Sequence, residues 1–310
     1  MQQFFTVATL LGILHSTVRL AMPYLYAAIG ETFAQRSGVM NLGVDGVMLM
    51  GAYSAFYVTF TTGSPWAGVA AALIVGALLG LLMALVSVTF RADQGISGIG
   101  LYLLGLGLSS LMFKTTLGTV QSVSGFAEVR LPLLGAIPYI GPVLFTHSLL
   151  VYGAFLLVPI GAWVLNRTTW GLNIRAVGDN PQAADSLGVS VVAIRYATVT
   201  FGAMLAALGG ASLSISALNI FQENLTNGIG FIAVALVYFG GWRPLGVLLG
   251  VLLFSLVNSL QLWLQVTGVG IPSDLAVMLP YLLTIVVLAL STRRAAEPGA
   301  LTKPFTRGSS

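Results

Sequence analysis

Cysteine is absent, which excludes disulfide staples and thiolate metal sites and leaves redox compartment unmarked. Charge is nearly as scarce: Asp, Glu, Lys and Arg make up 7% of the 310 residues, and the lysines are Lys114 and Lys303 alone. No GxxxxGK[ST] stretch occurs, so the chain has no P-loop of its own for ATP. HExxH and GxSxG are also missing; Gly95-Ile96-Ser97-Gly98-Ile99 fails the second pattern by one position, which leaves an intramembrane hydrolase without machinery. His15 and His147 stand alone near the ends of apolar runs, with no metal-ligand spacing. No catalytic residue, metal or resident cofactor is expected, and nucleic acid is not an expected partner. The N-terminal MQQFFTVATLLGIL lacks the charged region and cleavage site of a secretory signal and reads as mature chain.

What fills the chain is apolar. Hydrophobic residues reach 57%, the mean hydropathy is +0.95, and runs of roughly 20 apolar residues recur, the length a helix needs to cross a bilayer. Segments such as Trp66–Phe90 and Asp274–Leu290 are continuously apolar, without the alternation of a membrane β-barrel. The fold class is therefore all-α, a polytopic transmembrane helical bundle with the lipid bilayer around it. Spans are read near 17–34, 39–61, 66–89, 95–117, 144–165, 194–218, 229–241, 244–266 and 273–291, with Phe4–Leu14 as an extra or interfacial piece. The run 229–241 is about half the crossing length, so it enters beside other helices. Eight to ten helices, broken or short spans included, are expected. Residues 1–310 read as one integral membrane domain, with a polar loop at 166–195 and a tail at 292–310.

If the 166–195 loop is cytoplasmic, alternation puts ten of the thirteen basic residues on that side, as the positive-inside rule requires. The C-terminus is then cytoplasmic and nine spans place the N-terminus outside. An internal echo adds to this. Pro65-Trp66-Ala67-Gly68 opens one long helix and Pro244-Leu245-Gly246 another; aligning Gly68 with Gly246 also aligns Ala72 with Gly250. In the topology above the two units are inverted copies, an arrangement that transporters use to alternate access to a midplane site. Chance recurrence among 37 glycines is the competing account. Small residues at Gly76-xxx-Gly80, Ala206-xxx-Gly210 and Gly246-xxx-Gly250 supply close helix packing where lipid offers no hydrophobic drive.

Polar groups inside apolar spans need a reason. Glu31, Arg36, Asn41 and Asp45 cluster among Gly38, Gly43 and Gly46, with Asn41 and Asp45 at i,i+4 on one helical face. Two roles fit: a polar lining for a hydrophilic solute, or an Arg36–carboxylate pair with interhelical hydrogen bonds. Gln94, Ser97 and, in the short span, Phe231 join the pathway candidates. Glu223, Asn224 and Asn227 precede that span as an outer vestibule or a solvated loop. In the polar loop, Asn180 is an N-cap, Pro181 suits the first helical position and Gly188 the position after the end. A short helix results, with Ala183 and Ala184 as a low-profile face and Asp179 and Asp185 as charges.

Four motifs in order, RSGVMNLGVDGVMLMGA at 36–52, FRADQ at 90–94, GLNIRAVGDNPQAADSLG at 171–188 and GGWRPLG at 240–246, resemble the permease subunits of bacterial nucleoside and simple-sugar ABC importers. This is the ribose-permease-like branch of the branched-chain-type inner-membrane permeases, and the likeness runs from about residue 17 to 291. The resemblance implies that Asp179, Asn180, Pro181, Gln182, Ala183, Ala184, Asp185, Leu187 and Gly188 form a coupling helix docked on a cytoplasmic ABC ATPase. It also implies a second, homologous but non-identical permease, of which this chain resembles the shorter, and an extracytoplasmic substrate-binding protein. ATP and Mg belong to the ATPase, and the bacterial cytoplasmic membrane is the location. Asp45 stands where the pattern has Glu, and Gly95-Ile96 where it has a β-branched pair. The expected function is a nucleoside or simple-sugar permease. The alternatives are an ion-coupled secondary transporter, with Glu31 or Asp45 carrying the proton, and a scaffold that anchors cytoplasmic partners.

Overall fold

The computed structural model describes residues 7–132, 134–267, 278–280, 282, 283, 285, 286, 289 and 297–307. The element order is α1 (Val7–Arg36), α2 (Val44–Thr62), α3 (Pro65–Ala84), α4 (Gln94–Thr116), β1 (Glu128–Arg130), α5 (Ile140–Leu144), β2 (Thr146–Ser148), α6 (Leu149–Arg167), α7 (Thr169–Asp179), α8 (Pro181–Ser186), α9 (Val191–Ser212), α10 (Ile229–Phe239) and α11 (Pro244–Thr267). The fold is an all-α helical bundle. β1 and β2 pair antiparallel, Val129 opposite His147, and form a small flap. Five described helices are long and apolar enough to cross a membrane: Pro65–Thr89, Gln94–Thr116, Leu149–Arg167, Val191–Ala217 and Pro244–Gln265. The run expected at 273–291 lies largely outside the described residues.

α1 and α2 form the interior of the bundle. Every residue of α1 from Ala21 to Gln35 is buried, and α1 begins at Val7, so the separate piece expected at Phe4–Leu14 is continuous with the first span as far as it is described. α9 lies between α1, α2 and α3. Small residues permit that: a Cβ on Gly30 would fall 2.6 Å from the Gly202 carbonyl, and one on Gly76 2.7 Å from the Ala207 Cβ, so neither position accepts a larger side chain without parting the helices. Leucines and isoleucines on α3, α4 and α6 point outward, among them Ile74, Leu78, Leu103 and Leu156, as a lipid-facing surface requires.

The helix contacts are reciprocal. α3 packs on α9 and α2, while α11 packs on α1 and α10; α2 lies on α9 as α10 lies on α1. Gly68 opens α3 against the Ala55 carbonyl of α2, and Gly246 opens α11 against the Gly240 carbonyl that follows α10. Aligned glycines therefore sit at the same turn in two helical hairpins.

Helix starts differ from expectation at one informative place. α2 begins at Val44, not near 39, because residues 37–43 leave helical geometry after Gly38, whose φ is +91°. Asn41 therefore lies outside the helix and shares no helical face with Asp45. Its side chain instead accepts the Gly43 amide at 2.8 Å.

Candidate functional site

The polar cluster around α1 and α2 is an organised scaffold. Glu31, 2% exposed, accepts the Gln35 side-chain amide at 3.1 Å and the Asn41 backbone amide at 2.9 Å through one oxygen. Gln35 in turn accepts the Trp242 indole N–H at 2.8 Å, and Gln94 accepts the Met40 amide at 2.9 Å. Together these bonds hold the 37–43 connection against α4 and the turn after α10. The Arg36–carboxylate pair, one of the two roles that fit the sequence, does not form among the described residues: Arg36 donates from Nε to the Trp242 carbonyl at 3.0 Å, and the ion pairs there are Lys114–Glu223 and Arg307–Asp185.

Asp45 joins the start of α2 to the start of α10. It lies at the first turn of α2, is 0% exposed, and accepts the Gly230 amide at 2.8 Å and the Thr226 hydroxyl at 3.0 Å. A carboxylate at the N-terminal end of α10 meets unsatisfied amides and the positive end of the helix dipole. Contact is close enough that a Cβ on Gly230 would fall 2.3 Å from the Asp45 nitrogen. Two helix N-termini thus meet inside the bundle, pinned by one side chain.

Beside this junction opens a cavity of about 410 Å3 whose lining includes Thr226, Asn227, Asn258, Gln261 and Gln265, with Tyr24 and Phe254 as aromatic walls. No charged residue is among its described lining residues. Asn258, Gln261 and Gln265 follow i, i+3, i+7 along α11, and their amides make no hydrogen bond among the described residues. Carboxamides left unpartnered in a span face water or a solute, because hydrocarbon would leave them unsatisfied. Sequence reasoning passed over this row inside the apolar run 244–266; its helical period was the available signal. Thr226 connects the cavity floor to Asp45. Asn227 and Asn224, placed in a vestibule or loop by sequence, have left-handed backbone at φ 42° and 54°, and Asn227 alone of the two lines this cavity.

The remaining pathway candidates lie elsewhere. Ser97 bonds its own helix through the Asp93 carbonyl at 2.6 Å and lines an apolar groove with Leu82, Val86 and Leu104. Phe231, 38% exposed, packs edge-on against Tyr102 with ring centroids 5.0 Å apart. His15 and His147, solitary in sequence, stack with centroids 4.4 Å apart and interplanar angle 16°. They anchor to the Thr146 and Val143 carbonyls.

The polar loop folds into α7 and α8. Asn180 accepts the Ala183 amide at 3.1 Å, Pro181 starts the helix, and Gly188 follows it at φ +87°. Ala184 does not belong to an outer face: it is 3% exposed and packs with Val177 and Val191. Gln182, Ala183, Ser186 and Leu187 are exposed, and Leu187 at 84% is the most exposed large apolar side chain among the described residues. Asp179 ends α7, and Asp185 pairs with Arg307 of the C-terminal segment at 2.9 Å. That segment lies across α7 and α9: the Ala300 amide donates to Gly178 at 2.8 Å, and Arg195, 1% exposed, donates to the Ser37 and Lys303 carbonyls.

A family model described as the permease component of the branched-chain amino acid transport system matches residues 13–288. The nucleoside ABC transporter permease protein NupC of Lactococcus lactis is 37% identical, over 95% of this chain and 96% of its own length. The guanosine ABC transporter permease protein NupQ of Bacillus subtilis is 33% identical, over 96% of this chain and 97% of its own. A putative glucose ABC transporter permease protein, TsgC13 of Haloferax volcanii, is 36% identical, over 96% and 98%. No solved structure matches the chain.

Proposed function

The chain belongs to the branched-chain amino acid transport system permease family, as a multi-pass permease component of the nucleoside and sugar ABC importers, and we propose that its own solute is a nucleoside. The observation that carries this reading is the uncharged lining of the cavity beside Asp45. A zwitterionic amino acid is held best where groups of opposite charge meet both of its ends, and no charged side chain is among the described lining. Beside Leu225, Ile229, Ile232 and Pro280, the described lining offers carboxamides, one threonine and two aromatic rings, which suit hydroxyl groups and the edge and face of a planar base.

The row Asn258, Gln261 and Gln265 gives such a solute successive hydrogen bonds along α11. Asp45 then acts as the pin of the floor rather than a direct contact, since both its oxygens are occupied. ATP and Mg bind a separate cytoplasmic ATPase, an extracytoplasmic binding protein delivers the solute, and translocation proceeds between this chain and a second, homologous permease of the bacterial cytoplasmic membrane. α8 is the coupling helix, with Leu187 as its apolar anchor, and the C-terminus lies on the same side.

Reconstitution tests the assignment. Proteoliposomes holding both permeases, the ATPase and the binding protein should accumulate labelled nucleoside only with ATP, and unlabelled nucleosides should compete where pentoses do not. Equal competition by pentoses would overturn the solute assignment, and uptake driven by a pH gradient without the ATPase would replace the importer with an ion-coupled carrier.

A further inference from the structure

A second cavity, about 670 Å3, lies where the ends of α1, α6 and α7 meet the start of α11. Arg36, Arg175 and Arg243 converge on it, with Asp179 as the one carboxylate among its lining residues. Arg175 and Arg243 repel the Arg36 charge and Asp179 attracts it, yet none of the three arginines forms an ion pair among the described residues. Arg36 spends only its Nε, on the Trp242 carbonyl. The Arg175 Nε is buried without a partner. Three guanidinium groups facing one carboxylate leave a positive excess that an anion would neutralise, and guanidinium geometry suits the paired oxygens of a phosphate.

The walls say which kind of phosphate. Immediately beyond Arg243, Leu245 and Leu249 lie one helical turn apart on α11, 60% and 70% exposed, and both line the cavity, with Ala162 of α6 across from them. A free phosphate or a nucleotide has no use for an apolar track running from a cationic mouth along a membrane-facing helix. A phospholipid has, because its phosphate and its acyl chains divide in that way. The first turn of α11 adds unsatisfied backbone amides at the same mouth.

We propose that this cavity is a binding site for an anionic phospholipid, with the headgroup phosphate held by Arg36, Arg175 and Arg243 and an acyl chain laid along Leu245 and Leu249. In the orientation that places most basic residues in the cytoplasm, the site faces the leaflet that presents anionic headgroups, and basic pockets between helices on that side are suited to them. A lipid seated there bridges α6, α7 and α11 and so braces the base of α8. The site is independent of the solute assignment, and its test needs no transport.

The test is native mass spectrometry of the full chain released from nanodiscs of mixed phosphatidylcholine and phosphatidylglycerol, alongside its thermal midpoint in each lipid. The chain should retain one phosphatidylglycerol in preference to phosphatidylcholine and melt higher when it is present. R175Q/R243Q should weaken that retention about 30-fold, R175K/R243K should keep most of it, and R91Q, which removes the same kind of charge elsewhere, should leave it unchanged. Equal retention by R175Q/R243Q would overturn the proposal. So would an equal rise in midpoint from inorganic phosphate in phosphatidylcholine alone, which would make the site one for a free anion. Unchanged lipid retention with loss of ATPase co-purification in R175Q/R243Q would assign the arginines to a protein contact instead.

Discussion

Replacing Asp45 by alanine tests whether one carboxylate pins the start of α2 to the start of α10. Asp45→Ala removes the acceptor of the Gly230 amide at 2.8 Å and of the Thr226 hydroxyl at 3.0 Å, in surroundings where Asp45 and Thr226 are both 0% exposed. A buried polar group left without a partner costs about 1–3 kcal/mol. The hydroxyl can rotate in search of another acceptor, but the amide is fixed in the first turn of α10, so the sum is about 2–5 kcal/mol. Asp45→Asn keeps one oxygen for Gly230, and the Thr226 hydroxyl can turn to accept from the new amide, which limits that loss to about 1 kcal/mol. Unfolding of the purified chain in mixed micelles, followed by its tryptophan fluorescence, should rank wild type, Asn and Ala in that order. Thr226→Val should cost about 1 kcal/mol alone and much less in the Asp45→Ala background, since the bond it removes is already gone. Gly230→Ala gives an independent check: its Cβ would lie 2.3 Å and 2.4 Å from the Asp45 nitrogen and Cα, whereas a Cβ at Gly107 meets nothing within 4 Å. An Asp45→Ala chain within about 0.5 kcal/mol of wild type, or strictly additive effects of the two substitutions, would refute the pinning role.

Three further outcomes follow from particular side chains. Leu187→Ala should weaken ATPase binding about 30-fold, the loss of roughly 2 kcal/mol of apolar burial, without changing the chain's own melting; Ala183→Arg should uncouple hydrolysis from uptake, whereas Ala184→Arg should unfold α8, because Ala184 packs against Val177 and Val191. Gln261→Leu should raise the KM for uptake about tenfold with membrane insertion intact, and an unchanged KM would remove the α11 row from the pathway. Burial pushes the His147 imidazole below its ordinary pKa, the His15 and Arg19 charges act the same way, and the Val143 carbonyl and Glu128 oppose them. The neutral ring is therefore the folded form, so this stabilisation is complete above a pH of about 6.5 and is lost as pH falls below it; the thermal midpoint should drop on acidification, and His147→Gln should flatten that drop.

Local chemistry was the legible part of the sequence. Asn180, Pro181 and Gly188 mark a helix of six residues because each satisfies or limits backbone groups within one turn. The reciprocal roles of Gly68 and Gly246 were readable for the same reason, as helix starts that need a small residue. What was misread depended on partners distant in sequence. Asn41 left the helix because Gly38 turns the chain, and Glu31 then found the Asn41 amide in place of Arg36. His15 and His147, more than 130 residues apart, meet only after α1 and the β1–β2 flap pack. Ala184 and Ala183 are neighbours in sequence, but the small core under α8 claims one and leaves the other in solvent.

Gly178 offers the sharpest test of how movement at α8 would reach the cavity. α8 packs on α7, and α7 rests on the end of α1 at a point where a Cβ on Gly178 would fall 2.0 Å from the Arg36 carbonyl oxygen. Beyond that contact, Arg195 ties Ser37 to the C-terminal segment, Glu31 and Gln94 hold residues 40 and 41, and α2 then carries Asp45 to α10 and Thr226 at the cavity floor. Side chains packed this closely transmit strain rather than absorb it. Gly178→Ala forces α7 away from α1 by about 1.5 Å, the gap between 2.0 Å and an ordinary carbon–oxygen contact. The exposed face of α8 is untouched, so ATPase assembly and turnover should persist while solute moved per ATP falls. Contiguity alone does not establish coupling, and the ratio is the quantity that decides: an unchanged ratio in Gly178→Ala would mean that movement at α8 reaches the pathway by a route other than the end of α1.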